Sequence, residues 1–181
     1  PPATPDSYSA QQDRTFAWAE YASQVGANTL HIRADLTFQK GRMLYMPSSG
    51  RRAATSFYQS INETIAQETI SNFLQRLNYA AYKRAAKRFG KRLRVITSLE
   101  GGNAVLRQAS ESHKHLHAHL LIELPAHLSF AEMSAAITIN WNALEWSNVI
   151  SKIEPIDSIF ASAAYNTKNT TDSLDLENTY L

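Results

Sequence analysis

The alternation of polar and apolar side chains in residues 115–120, within the segment HKHLHAHLLIEL at 113–124, constrains the fold of this chain more than any other feature. Successive side chains of a β-strand point to opposite faces of the sheet, so every second residue shares a face. One face is apolar and must pack against a core; its members are Leu116, Ala118, Leu120, Ile122 and Leu124. The other face carries four of the six histidines, which are His113, His115, His117 and His119. The segment is therefore predicted to be a half-buried strand with a functional histidine face.

Strands and helices are both predicted in the rest of the chain. Predicted strands cover residues 28–38, 92–100, 115–124 and 148–156, and predicted helices cover about residues 13–26, 60–89, 129–146 and 158–169. A Ser129-x-x-Glu132 capping box marks the start of the helix over 129–146, and Gly90 ends the helix over 60–89. Residues 39–54 are predicted to form a loop or a hairpin. This order of elements predicts an α+β fold, with a central antiparallel sheet and helices packed on its faces.

Composition limits the classes of protein to which the chain can belong. A length of 181 residues with 44% hydrophobic and 19% charged residues is typical of one globular domain. The absence of cysteine excludes disulfides, thiolate catalysis and cysteine-ligated zinc. No apolar run has membrane-spanning length and no secretory signal is visible, so we expect a cytosolic protein that does not bind membranes.

The chain is predicted to divide into three segments. Residues 1–13, rich in proline, serine and glutamine, are expected to be flexible. Residues 14–170 are expected to form the folded domain. Residues 171–181 are expected to be an acidic tail, truncated from a longer protein.

Basic side chains concentrate in residues 76–94, which hold eight of the eighteen Lys and Arg residues and no acidic residue. This asymmetry predicts a face that binds a polyanion such as nucleic acid. The predicted DNA-binding side chains are Lys83, Arg84, Lys87, Arg88, Lys91 and Arg92, together with Arg33 from the first predicted strand. For any single residue of the run, a solvated helix face is an equally good explanation.

Histidines on one strand face can serve as metal ligands. Same-face neighbours stand roughly 6.6–7 Å apart, so two imidazoles can converge on one ion. Glu100 ends the preceding predicted strand, and a hairpin between the two strands would bring its carboxylate close to the level of His115 and His117. Two histidines and one carboxylate leave positions open for a substrate oxygen and water, as in catalytic sites for Mg²⁺ or Mn²⁺.

The sequence resembles the HUH endonucleases in these same residues. The shared pattern is a strand ending in Glu-x-Gly, then a variable connection, then His-hydrophobe-His followed by apolar residues. It is most similar to the replication initiators (Rep proteins) of small DNA viruses and rolling-circle plasmids. The resemblance covers about residues 28–170. It implies that Glu100, His117 and His119 hold the divalent ion. His115 is the alternate ligand, because His115-Leu116-His117 also fits the motif.

The family also uses a tyrosine nucleophile, and the resemblance implies Tyr165, with Lys168 as its helper. The two residues form a Tyr-x-x-Lys pattern about forty-six residues after the histidine pair, an order and spacing that match the Rep type. Positions i and i+3 of a helix share a face, so phenol and ammonium would point to the same place. The plain alternative for Tyr165 is a packing residue on an alanine-rich helix.

The resemblance implies a metal-dependent, site-specific single-strand DNA endonuclease and strand-joining enzyme that forms a 5′-phosphotyrosine link and initiates rolling-circle replication. The expected partners are single-stranded or hairpin origin DNA and a helicase, either as a further domain or as a host protein, since no P-loop motif occurs in these residues. The expected location is the cytoplasm of a bacterial or archaeal host, or the nucleus for a eukaryotic virus.

Three alternatives remain open. A single-tyrosine HUH transposase shares the order of motifs, whereas a plasmid relaxase places its tyrosine ahead of the histidines, which would make Tyr21 the nucleophile. A non-catalytic metal- or DNA-binding module is the alternative of another class. A two-histidine phosphoesterase is disfavoured because only His127-Leu-Ser129 fits its motif.

Overall fold

The computed structural model describes residues 31–46, 55–101, 116–156 and 178–180. The strands are β1 (His31–Phe38), β2 (Gly41–Met46), β3 (Thr55–Ser60), β4 (Val95–Glu100), β5 (His117–Glu123) and β6 (Ser147–Ile156). The helices are α1 (Glu63–Tyr82), α2 (Arg84–Phe89) and α3 (Phe130–Asn142). Four strands form an antiparallel sheet in the order β4-β5-β1-β6, and β2 and β3 form a separate hairpin. Because α1 and α3 pack against the sheet, the predicted α+β class is confirmed.

One face of the four-stranded sheet forms a wall of the hydrophobic core. The apolar members of the alternating strands are buried there as predicted; they are Ile32, Ala34, Leu36, Ala118, Leu120 and Ile122. Trp141 of α3 fills the space between helices and sheet. Its ring makes edge-to-face contacts with Phe38 and Phe73, at centroid distances of 5.3 and 5.5 Å. Packing therefore fixes which face of the sheet remains for function.

The predicted single helix over residues 60–89 is wrong in two respects. Ser60 belongs to β3, and α1 starts only after Asn62, whose side-chain oxygen accepts a hydrogen bond from the Ile65 amide at 2.9 Å. The helix also breaks at Lys83, which has φ of 51° and separates α1 from α2. The apolar face of α1 ends at Ala81 and α2 buries no residue, so no core contact holds a continuous helix.

Two of the other predicted helix boundaries are confirmed and one is wrong. Gly90 ends α2 in a left-handed conformation, as predicted. The capping box of α3 is confirmed: the Ser129 hydroxyl accepts from the Glu132 amide at 3.2 Å, and the Glu132 carboxylate accepts from the Ser129 amide at 2.8 Å. The helix ends at Asn142, earlier than predicted, because the chain turns there into β6.

The outer edge of β4 is paired with residues from the acidic tail. Val95 and Tyr180 exchange backbone hydrogen bonds of 2.8 and 2.9 Å, and the Thr97 hydroxyl donates to the Asn178 carbonyl at 2.9 Å. Asn178 is only 2% exposed. The alternation pattern gave no indication of this pairing.

Several predicted segments lie outside the described residues. They are the flexible segment 1–13, the predicted helices 13–26 and 158–169 and the tail before residue 178. In the part of the chain that the structure describes, no helix is both long and apolar enough to cross a membrane.

Candidate metal centre

Three neighbouring strands bring polar side chains together on the face of the sheet opposite α1 and α3. In the β4–β5 pairing, Glu100 stands beside His117. One row further along, Ser98 of β4 and Asp35 of β1 flank His119 from its two sides. The predicted level of Glu100, next to His117, is thus the observed register.

The side chains of Glu100, His117 and His119 form a group that fits a metal ion. Their ligand atoms all lie within 4.8 Å of one another. The Glu100 carboxylate oxygen is 3.5 Å from His117 Nε2 and 3.7 Å from His119 Nε2. Ligands of an ion at about 2.1 Å stand roughly 3.0–3.4 Å apart in octahedral or tetrahedral geometry. Movements of a few tenths of an ångström would therefore bring the Glu100 oxygen to this distance from both imidazole nitrogens.

Asp35 holds the imidazole of His119 in an orientation suited to a ligand. An Asp35 carboxylate oxygen lies 2.6 Å from His119 Nδ1, and the Arg33 guanidinium donates to both carboxylate oxygens at 2.9 Å. Burial raises the pKa of the Asp35 carboxyl, but the hydrogen bonds from His119 and Arg33 and the positive charge of Arg33 outweigh burial, so the pKa lies below its ordinary value. The ionised carboxylate can only accept, which places the proton on Nδ1 and leaves Nε2 free to face Glu100.

The centre is partly enclosed, with its access at His117. The exposed fraction of the side chain is 28% for His117, 14% for Glu100 and 10% for His119. Ser98 is 1% exposed, and its hydroxyl has no hydrogen-bond partner among the described residues. A buried unpaired hydroxyl costs about 1–3 kcal/mol. Its position beside His119 fits a site that a hydrated ion completes.

The structure brings together some of the predicted site residues and leaves others untested. Glu100, His117 and His119 converge, and no other group of three potential ligands was found within the described ranges. Tyr165, Lys168 and the alternate ligand, His115, lie outside those ranges. Their roles stay predictions.

The predicted DNA-binding residues fall into two groups. Lys83, Arg84, Lys87, Arg88, Lys91 and Arg92 are all exposed on and beside α2. Arg33, by contrast, is engaged by Asp35, and its side chain is only 14% exposed. The contacts of Arg33 indicate a supporting role behind His119, and its role in DNA binding is a prediction.

The sequence assigned no role to Asp35, Ser98 or Lys152. All three lie at the level of His119 in the cross-strand register of the sheet. Asp35 stands on an alternating strand, and that alternation was the available signal. Lys152 of β6 is the register partner of Asp35, and the pairing shifts next to that point. A shifted register reverses which residues face which side, so the position of Lys152 was not predictable from alternation.

No family model, no curated protein and no solved structure matches this chain significantly. Evidence on function therefore comes from the chain's own residues and their geometry.

Proposed function

We propose that this chain is a metal-dependent, site-specific single-strand DNA endonuclease and strand-joining enzyme, a Rep-type member of the HUH endonucleases. The observation that carries the proposal is the convergence of Glu100 with His117 and His119 on an antiparallel sheet. Those are the three residues that the motif resemblance selects. The expected occupant of the centre is Mn²⁺ or Mg²⁺, because an oxygen ligand, two imidazoles and open positions suit these ions.

A divalent ion bound there would neutralise a phosphodiester oxygen and so favour attack on phosphorus. Glu100 carries the only charge among the three ligands, so the loaded centre keeps one net positive charge for the phosphate. Asp35 and Arg33 hold the His119 ring and limit its reorientation during turnover.

Tyr165 is the proposed nucleophile. Its phenolic oxygen would form a bond to phosphorus while the bond from phosphorus to the 3′-oxygen breaks. The phenol loses its proton and the 3′-oxygen gains one, giving a 5′-phosphotyrosine and a free 3′-OH. Lys168 would stabilise the phenolate or the charge on the phosphoryl oxygens. Reversal by a 3′-OH rejoins the strand without ATP, since the phosphotyrosine conserves the bond energy.

The proposal is tested by trapping the covalent intermediate. A 3′-fluorescent single-stranded DNA pool with a randomised centre is incubated with the protein and Mn²⁺, then separated on a denaturing gel. We expect the label to migrate with the protein, because the tyrosine retains the 5′ end of the labelled fragment. Sequencing the captured fragments would then identify the nicked site.

Variants separate the alternatives in the same assay. The adduct should disappear with EDTA and in Tyr165→Phe, and should persist in Tyr79→Phe, a control at a tyrosine that is 57% exposed. An adduct that survives Tyr165→Phe but not Tyr21→Phe would indicate the relaxase order. Binding of Mn²⁺ and DNA with no adduct from any sequence would indicate a non-catalytic module.

A further inference from the structure

The β2–β3 hairpin presents an exposed aromatic face. Met43 pairs with Tyr58 and Tyr45 with Ser56, and cross-strand partners and every second residue share a face of a sheet. Met43 is 47%, Tyr58 59% and Tyr45 74% exposed. We call these three residues the hairpin face. Exposed rings clustered on one surface mark an interaction site more often than scattered ones do.

Gly41 holds the Tyr58 ring in place on this face. A Cβ atom built at Gly41 would overlap Oη and Cζ of Tyr58 and would come within 2.7 Å of the Gln59 carbonyl oxygen. The phenol ring therefore lies against the bare backbone of Gly41, with its other side towards solvent. A ring supported in this way loses little conformational freedom when a flat partner stacks on it.

The charged residues in the sequence of the hairpin segment are all basic. Residues 36–62 contain Lys40, Arg42, Arg51 and Arg52 and no acidic residue. Lys40 is exposed at the start of the hairpin, while Arg42 is bound by Glu145 at 2.7 Å. A second copy of the chain would bring the same basic charges against one another. Exposed rings in a segment with an excess of basic residues, of which Lys40 is exposed, instead complement a strand that carries both flat bases and phosphates.

We propose that the hairpin face is a stacking platform for unpaired bases of single-stranded DNA, with Lys40 at the start of the hairpin available to its phosphates. Only an unpaired strand can lay its bases on such a surface, because the bases of a duplex are stacked on one another. The proposal rests on the proposed function for the identity of the strand, and it adds a substrate-holding surface remote in sequence from the basic run of α2.

The test is an equilibrium binding measurement on the full chain in EDTA, where cleavage does not interfere. Fluorescence anisotropy compares a 20-nucleotide oligothymidine with an abasic strand of equal length and charge. We expect the wild type to prefer oligothymidine. Tyr45→Thr and Tyr58→Thr, which preserve strand propensity, should each weaken oligothymidine binding about fivefold or more, the lower end of base–aromatic stacking. Binding of the abasic strand should change less than twofold.

The control variant is Tyr79→Gln, which removes an exposed ring from α1 and should bind like the wild type. Equal affinity of both hairpin variants and the wild type for oligothymidine would overturn the proposal, as would equal wild-type affinity for the two strands. A dimer in sedimentation without DNA that both variants abolish, with binding unchanged, would assign the face to a second copy. Because no cleavage is measured, failure of adduct formation would count against the nuclease alone.

Discussion

Replacing Asp35 by Asn tests whether the carboxylate behind His119 supports metal binding. The side chain keeps its shape, but one oxygen becomes an amide that donates. Asp35 now accepts three bonds, from His119 at 2.6 Å and from Arg33 at 2.9 Å twice. Because Asp35 Oδ1 accepts from both His119 and Arg33 Nε, the amide nitrogen of an asparagine would face either Arg33 Nη2 or both of these other donors.

The expected loss follows from what the Asp35 bond does. A neutral amide oxygen holds the Nδ1 proton less strongly than a carboxylate does, so the His119 ring can more readily rotate or carry its proton on Nε2, the atom that faces Glu100 at 3.7 Å. Loss of such an outer carboxylate typically lowers metal affinity about 10- to 100-fold. We therefore expect a weakening of about 1.4–2.8 kcal/mol for Mn²⁺.

Isothermal titration calorimetry with Mn²⁺ measures the effect, with circular dichroism to verify folding. The matched control is Glu123→Gln. It removes a carboxylate that lies on the same face of the sheet as His119 and is paired with Arg94 at 3.3 Å. Glu123 lies four residues from His119, about 13 Å along the strand, so its loss should leave Mn²⁺ affinity unchanged. A folded Asp35→Asn variant with affinity within twofold of wild type would refute the support of His119 by Asp35.

Three further predictions concern stability and DNA binding. Lys83→Gly should stabilise the fold by roughly 1 kcal/mol in chemical denaturation, because Lys83 has φ of 51°, a conformation that glycine adopts without strain. The control Lys87→Gly, inside α2, should destabilise the fold. Equal effects of the two substitutions would contradict strain at Lys83. Hydrogen bonds from the Ser129 amide and hydroxyl hold the pKa of Glu132 below its ordinary value of 4.5. The stabilisation of the fold by these hydrogen bonds is complete above the unfolded-state pKa of Glu132. It is lost as the pH falls through the lower pKa that Glu132 has in the folded state. Glu132→Gln keeps the acceptor without the titration, so the stability difference between wild type and variant should shrink from pH 5 to pH 3; a difference independent of pH would count against it. Lys91→Gln should reduce the slope of log affinity against log salt by about 0.7 for single-stranded DNA in anisotropy titrations, and an unchanged slope would remove Lys91 from the phosphate contacts.

Local patterns predicted the parts of the site that lie within one strand or one hairpin. Alternation alone identified which side of β5 carries His117 and His119, because the period of two is a property of the strand itself. Pairing between sequence-adjacent strands then placed Glu100 beside them. These steps require no knowledge of the rest of the fold.

Features that depend on distant pairing were missed. Asp35 contacts His119 across 84 residues of sequence, and only the β1–β5 register brings them together. Tyr180 reaches the edge of β4 through backbone hydrogen bonds, which leave no side-chain pattern. The break at Lys83 depends on where the core ends under α1, and helix propensity does not encode that boundary.

The metal centre is tested most directly by locating the ion. Crystals grown with Mn²⁺ and measured at the manganese absorption edge give an anomalous difference map that identifies the ion independently of the protein. We expect one peak at about 2.1 Å from His117 Nε2, His119 Nε2 and a Glu100 oxygen. A manganese peak elsewhere, with none between these three side chains, would contradict the proposed centre.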